Sequence, residues 1–79
     1  MNIDINTKIE HWILKAELFL KEDKKVFIKT INGAYHSGDI ILVGKKDLLI
    51  YDFIKKEKFC LYWIDIILFE EYKEKEIGK

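Results

Sequence analysis

The chain has 79 residues, 49% of them hydrophobic and 14% aromatic, with fourteen lysines balanced by fourteen acidic residues and a formal net charge of zero. That composition excludes a disordered chain and argues against a partner gathered mainly by long-range charge. No apolar run approaches the roughly 20 residues that a membrane-crossing helix needs.

A chain of this length buries only about 60% of the surface its unfolded form exposes. Cys60 is its single cysteine, so no disulfide closes within one chain and self-association is the expected source of added stability. A lone thiol without a signal sequence leads us to expect a reducing, cytoplasmic setting.

Residues 1–6 (MNIDIN) read as a lead into a helix. Thr7 and Glu10 have the spacing of a capping box, in which each side chain satisfies a backbone donor of the other's turn. Ile9, Trp12, Ile13, Ala16, Phe19 and Leu20 recur at three and four residue steps, which predicts one amphipathic helix over about residues 7–21. Leu14 and Leu18 lie off that stripe and read as a second contact surface. Glu22 to Lys25 form a charged connection.

Val26 to Ile31 is rich in β-branched residues and ends at Asn32-Gly33, a strong tight-turn signal. Ala34 to Val43 is the second strand. Gly38 in its middle predicts a sharp bend or a close approach of another backbone. Gly44-Lys45-Lys46 is a second tight connection, Asp47 to Ile54 a third strand, and Lys55 to Lys58 a charged hairpin tip. Phe59 to Trp63 is a fourth strand, Ile64-Asp65 a corner, and Ile66 to Tyr72 a fifth. Residues 73–79 lack apolar periodicity and read as a frayed tail.

One helix followed by five short antiparallel strands over about residues 26–72 makes a single, mainly β domain. The order suits a small, strongly bent, five-stranded SH3-like barrel. The last three strands are apolar on both faces, and outward apolar surface on so small a barrel usually meets another chain.

Little in the chain suggests catalysis. His11, His36 and Cys60 have no metal-ligand spacing. Cys60, between Phe59 and Leu61, reads as a buried structural thiol. Asp39, Asp47 and Asp52 read as solvated turn and strand-end residues, with no shared cleft indicated. Gly33, Gly38 and Gly44 open no helix and so cradle no phosphate. We therefore expect no enzyme activity, metal or cofactor. Lys45 and Lys46, with Tyr51, Tyr62 and Trp63, combine loop charge with stacking surfaces and form the one nucleic-acid constellation in the chain. No arginine is present, so any such contact rests on lysine point charges and aromatic faces rather than on bidentate recognition.

In this strand context the chain resembles the Sm-like family, whose members join an N-terminal helix to a bent five-stranded barrel. Gly33 and Gly38 match the two glycines of the family's first motif, Ile40 and Val43 its apolar positions, and Leu49 to Tyr51 the strand after its loop. The loop positions that contact RNA in the family fall on Gly44, Lys46 and Leu48, and the Arg-Gly pair of its second motif falls on Trp63 and Ile64. The resemblance implies a homo-oligomeric ring in which strand four of one copy pairs with strand five of the next, with Phe59, Leu61, Ile66 and Leu68 as seam residues. It also implies weak binding of single-stranded RNA through Lys45, Lys46, Tyr62 and Trp63. The alternative is an adaptor with the same fold that binds proteins, through the helix among other surfaces, and no nucleic acid.

Overall fold

The computed structural model of the chain describes residues 5–73. Residues 74–79 of the expected tail over 73–79 and the first four residues of the lead-in lie outside the described residues. Helix α1 spans Ile5–Lys21. It begins two residues before the expected cap, so Thr7 already has a helical backbone and the Thr7–Glu10 capping box is not its start. Its C-terminus closes on Asp23, which adopts φ 57, while Lys24 N donates to Phe19 O at 2.9 Å. A left-handed residue there lets the following amide reach back to an orphan carbonyl, and aspartate tolerates that conformation better than most side chains.

Five strands follow: β1 Lys25–Thr30, β2 Tyr35–Val43, β3 Asp47–Asp52, β4 Glu57–Tyr62 and β5 Ile66–Glu71, with a 3-10 turn Trp63–Asp65 before the last. They form one sheet in the order β4-β3-β2-β1-β5, antiparallel throughout. The β1–β2 turn is built as its sequence predicts: Gly33 takes φ 88, and Asn32 Oδ1 accepts from Ala34 N at 3.2 Å.

Strand β3 ends two residues earlier than the apolar pattern suggests. Asp52 Oδ1 accepts from Ile54 N and Lys55 N at 2.9 and 2.8 Å, which curls the chain into a turn that Lys56 completes at φ 62.

All five strands supply side chains to one core. Val26 and Ile28 come from β1, Ile40 from β2, Leu48 and Ile50 from β3, Leu61 from β4, and Ile66 and Phe69 from β5, joined by Trp63 and by Ala16 of α1. A flat sheet cannot bring its two end strands to a common cluster, so this one is curled around its own core. Gly38 permits the bend, because a Cβ at that position would lie 1.7 Å from Tyr51 O. Register shifts at Lys29/Thr30 and Ile40/Leu42 add local twist.

The curl stops short of closure: β4 and β5 do not pair with each other. The sheet is open, and a closed barrel is not formed within one chain.

On α1, Ile9, Trp12, Ile13 and Phe19 pack against the core. Leu14 and Leu18 are 66% and 51% exposed, in keeping with their place off the stripe. Leu20, expected on the inward stripe, is instead exposed in the last turn. Among the described residues no helix is long and apolar enough to cross a membrane.

Candidate nucleic-acid interface and open edge

The β2–β3 turn is tied to the end of β4. Gly44 N donates to Asp47 O at 2.9 Å, and Trp63 N donates to Lys46 O at 3.1 Å. The Trp63 indole Nε1–H reaches over to Gly44 O at 2.9 Å. Two bonds from one tryptophan thus hold the lysine turn against the β4 terminus, leaving Lys45 and Lys46 exposed, with Tyr62, also exposed, opposite Asp47 at the start of β3.

Trp63 itself is fully buried, its ring 6.3 Å from that of Phe69. It is a structural clamp, and the expectation that it stacks a base is corrected. The reason is local: Leu61 and Trp63 stand two residues apart and share the inward face, with Tyr62 between them facing out.

Cys60 also departs from expectation. Leu61 faces inward, so strand alternation sends Cys60 and Tyr62 outward, and Cys60 is exposed. Its Sγ–H donates to Asp47 Oδ2 at 3.3 Å. That bond, then partial burial and the Asp47 charge, push the thiol above its ordinary value. A thiol held protonated in this way is a poor nucleophile.

The four expected seam residues divide. Leu61 and Ile66 are buried and fill the subunit's own interior. Phe59 is half-buried and packs against the core, its ring 4.6 Å from that of His36. Leu68 is half-buried, opposite Lys29 of β1. The apolar side chains that do face out around the open edges are Tyr62, Ile64 and Ile67, at 56, 55 and 46% exposure.

An open groove of about 440 Å³ runs along β4, walled on its other side by the β1–β2 turn, with His36, Lys55 and Asp65 among its lining residues. Behind that lining His36 and Asp52 are both buried, and His36 Nδ1 lies 3.1 Å from Asp52 Oδ2. Burial pushes the Asp52 carboxyl up. The amide bonds from Lys55 and Ile54, the His36 bond and the Lys55 charge outweigh it and hold the group below its usual range. An ionised Asp52 requires the proton of neutral His36 on Nδ1. Lys55 closes the cluster, donating to Tyr35 O at 2.7 Å with its ammonium 3.9 Å from Asp52.

Sequence reasoning missed this pair by reading Asp52 as solvated. The signal that finds it is the hairpin register: Gly38 sits opposite Asp52, which brings residue 36 within reach of the turn that Asp52 caps. Among the described residues no cluster of three His, Cys, Asp or Glu side chains stands together to hold a metal. In comparisons with known proteins, the chain matches no family model and no curated protein.

Proposed function

We propose that this chain is a subunit of a Sm-like assembly, in which copies join edge to edge into a ring that binds single-stranded RNA weakly. The observation that carries the reading is the open sheet order β4-β3-β2-β1-β5, with a free edge at each end. Edge strands left unpaired invite addition of another strand. One edge at β4 and a different one at β5 make a heterologous contact, which closes into a ring when the rotation between copies allows. The exposed Tyr62, Ile64 and Ile67 around those edges are surface that such joining covers. The helix followed by a curled five-stranded sheet, with Gly33 in the turn and Gly38 at the bend, agrees with the Sm-like resemblance.

Each subunit presents Lys45 and Lys46 on a turn fixed in place by Trp63, with the exposed Tyr62 opposite Asp47, the residue after that turn. Repeating that unit around a ring sets several weak phosphate and stacking contacts along one strand of RNA, and avidity rather than any single site supplies affinity. Titration of labelled single-stranded oligonucleotides at two salt concentrations tests this. Binding that weakens with salt, with a log–log slope of about −0.7 per lysine contact, supports the reading; no binding at low ionic strength overturns its RNA part.

A second reading, an adaptor that uses the same assembly to bind proteins, is favoured by Leu14 and Leu18, one turn apart and both exposed on α1. Protein partners recovered equally with and without nuclease treatment, and lost in a Leu14→Glu variant, favour it over RNA.

A further inference from the structure

We infer that the groove beside β4 is a binding site for a free α-amino acid with a cationic side chain, arginine or lysine, held at its head group by His36 and Lys55 and at its far end by Asp65. The site lies within one chain and rests on neither the assembly nor the RNA reading.

His36 is the anchor. Its Nδ1 is committed to Asp52, and its Nε2 makes no hydrogen bond among the described residues. The residue is only 5% exposed, yet among the described residues the enclosed side-chain nitrogen without a partner is Trp12 Nε1. His36 Nε2 is therefore open to solvent, and the surface that His36 lines is the groove. With the proton on Nδ1, Nε2 offers an unused lone pair there. Lys55 stands close by. Its ammonium gives one N–H to Tyr35 O at 2.7 Å and lies 3.9 Å from Asp52 Oδ2, beyond hydrogen-bond reach, so donors remain for a ligand. The same Asp52 oxygen is 3.1 Å from His36 Nδ1, which brings imidazole and ammonium near enough for one head group to span. An α-ammonium donates to Nε2 while the α-carboxylate accepts from Lys55.

Asp65 marks the other end. It follows β4 in the 3-10 turn and is fixed beside the β1–β2 turn by the bond from Ile31 N to its carbonyl at 2.8 Å. It lines the groove half-buried, and its carboxylate makes no hydrogen bond or ion pair among the described residues. His36 packs against Phe59 at 4.6 Å, and from Phe59 to Tyr62 the strand advances roughly 10 Å, the span of an extended arginine from head group to guanidinium. Ile31, Ala34 and Leu61 add apolar lining that suits the aliphatic stem, and about 440 Å³ is within the range of small-ligand sites. A neutral side chain leaves Asp65 unpaired, and an amine without a carboxylate meets the Lys55 charge with nothing between them, so both are disfavoured. Because the groove follows an edge that a second copy would use, ligand and second copy compete for it.

Arginine, lysine, norleucine and agmatine are titrated into the full-length chain by calorimetry, with the imidazole nitrogens followed by NMR and the oligomer mass by light scattering. Arginine and lysine are expected to saturate the chain at millimolar concentration or below and to move the His36 Nε2 resonance. They bind roughly tenfold or more tighter than norleucine, which lacks the side-chain cation, and arginine exceeds agmatine, which lacks the carboxylate, by a similar factor. Asp65→Asn keeps the side-chain shape and breaks no internal bond, so it is expected to bind arginine no better than norleucine. Lys55→Gln, with folding verified by circular dichroism, is expected to bind arginine no better than agmatine. Absence of saturation, equal affinity for the four ligands, or an Asp65→Asn variant that binds arginine as wild type does overturns the site. None of these results bears on the assembly reading, which falls instead if light scattering finds the ligand-free chain monomeric.

Discussion

His36 and Asp52 form a buried pair at 3.1 Å, and through it β2 is fastened to the turn that ends β3. The carboxylate receives three N–H bonds, from His36, Ile54 and Lys55. Replacing Asp52 with alanine strands those donors and unties the turn, with an expected loss of about 2 to 4 kcal/mol. Urea denaturation monitored by tryptophan fluorescence measures it; a loss no larger than that of an exposed substitution such as Asp39→Ala contradicts the role given to the pair.

The same pair makes stability depend on acid. Burial, with the Lys55 charge adding to it and the Asp52 bond opposing it, holds His36 below its ordinary 6.5. As pH falls below that value the unfolded chain takes up this proton before the folded chain does, so stability declines. Asp52 lies below its ordinary 3.8, so a second decline starts near that value and continues beneath it. Urea midpoints between pH 8 and pH 3 are expected to trace both steps. In His36→Asn the upper step disappears, and a wild-type midpoint unchanged between pH 7 and pH 5 contradicts the assignment.

Two glycines separate space from conformation. A Cβ on Gly38 meets the Tyr51 backbone at 1.7 Å, while one on Gly33 meets nothing within 4 Å but sits at φ 88. Gly38→Ala forces β2 and β3 apart and is expected to cost at least about 3 kcal/mol. Gly33→Ala pays only for its backbone conformation, about 1 kcal/mol. Thermal melts of the two variants rank them, and equal melting temperatures would sink the distinction.

Neighbouring aromatics at the lysine turn have opposite roles. Trp63→Phe removes the indole bond to Gly44 O and leaves a void in the core, so a loss of about 1 to 3 kcal/mol is expected. Tyr62→Ala removes an exposed ring and is expected to leave stability within about 0.5 kcal/mol while weakening oligonucleotide binding by roughly fivefold or more. Parallel denaturation and binding titrations on both variants check this, and a Tyr62→Ala variant that binds as well as wild type removes Tyr62 from the interface.

The element order was legible in the sequence because each signal is local. Helical spacing from Ile9 to Phe19, β-branched runs, and the turn chemistry of Asn32-Gly33 and Gly44-Lys45-Lys46 all act within a few residues. Gly38 was likewise readable as a bend, since only a missing Cβ admits so close a backbone. What the tertiary structure alone decided is where individual side chains point. Trp63, Tyr62, Cys60 and Leu61 are four consecutive residues of similar apolar character, and their roles as clamp, exposed ring, exposed thiol and core were fixed by which face of the strand alternation gave to each. Asp52 looked solvated because charge at a strand end usually is. Register carried it beneath the sheet to His36, and pairing across 16 residues is a relation that no local pattern encodes.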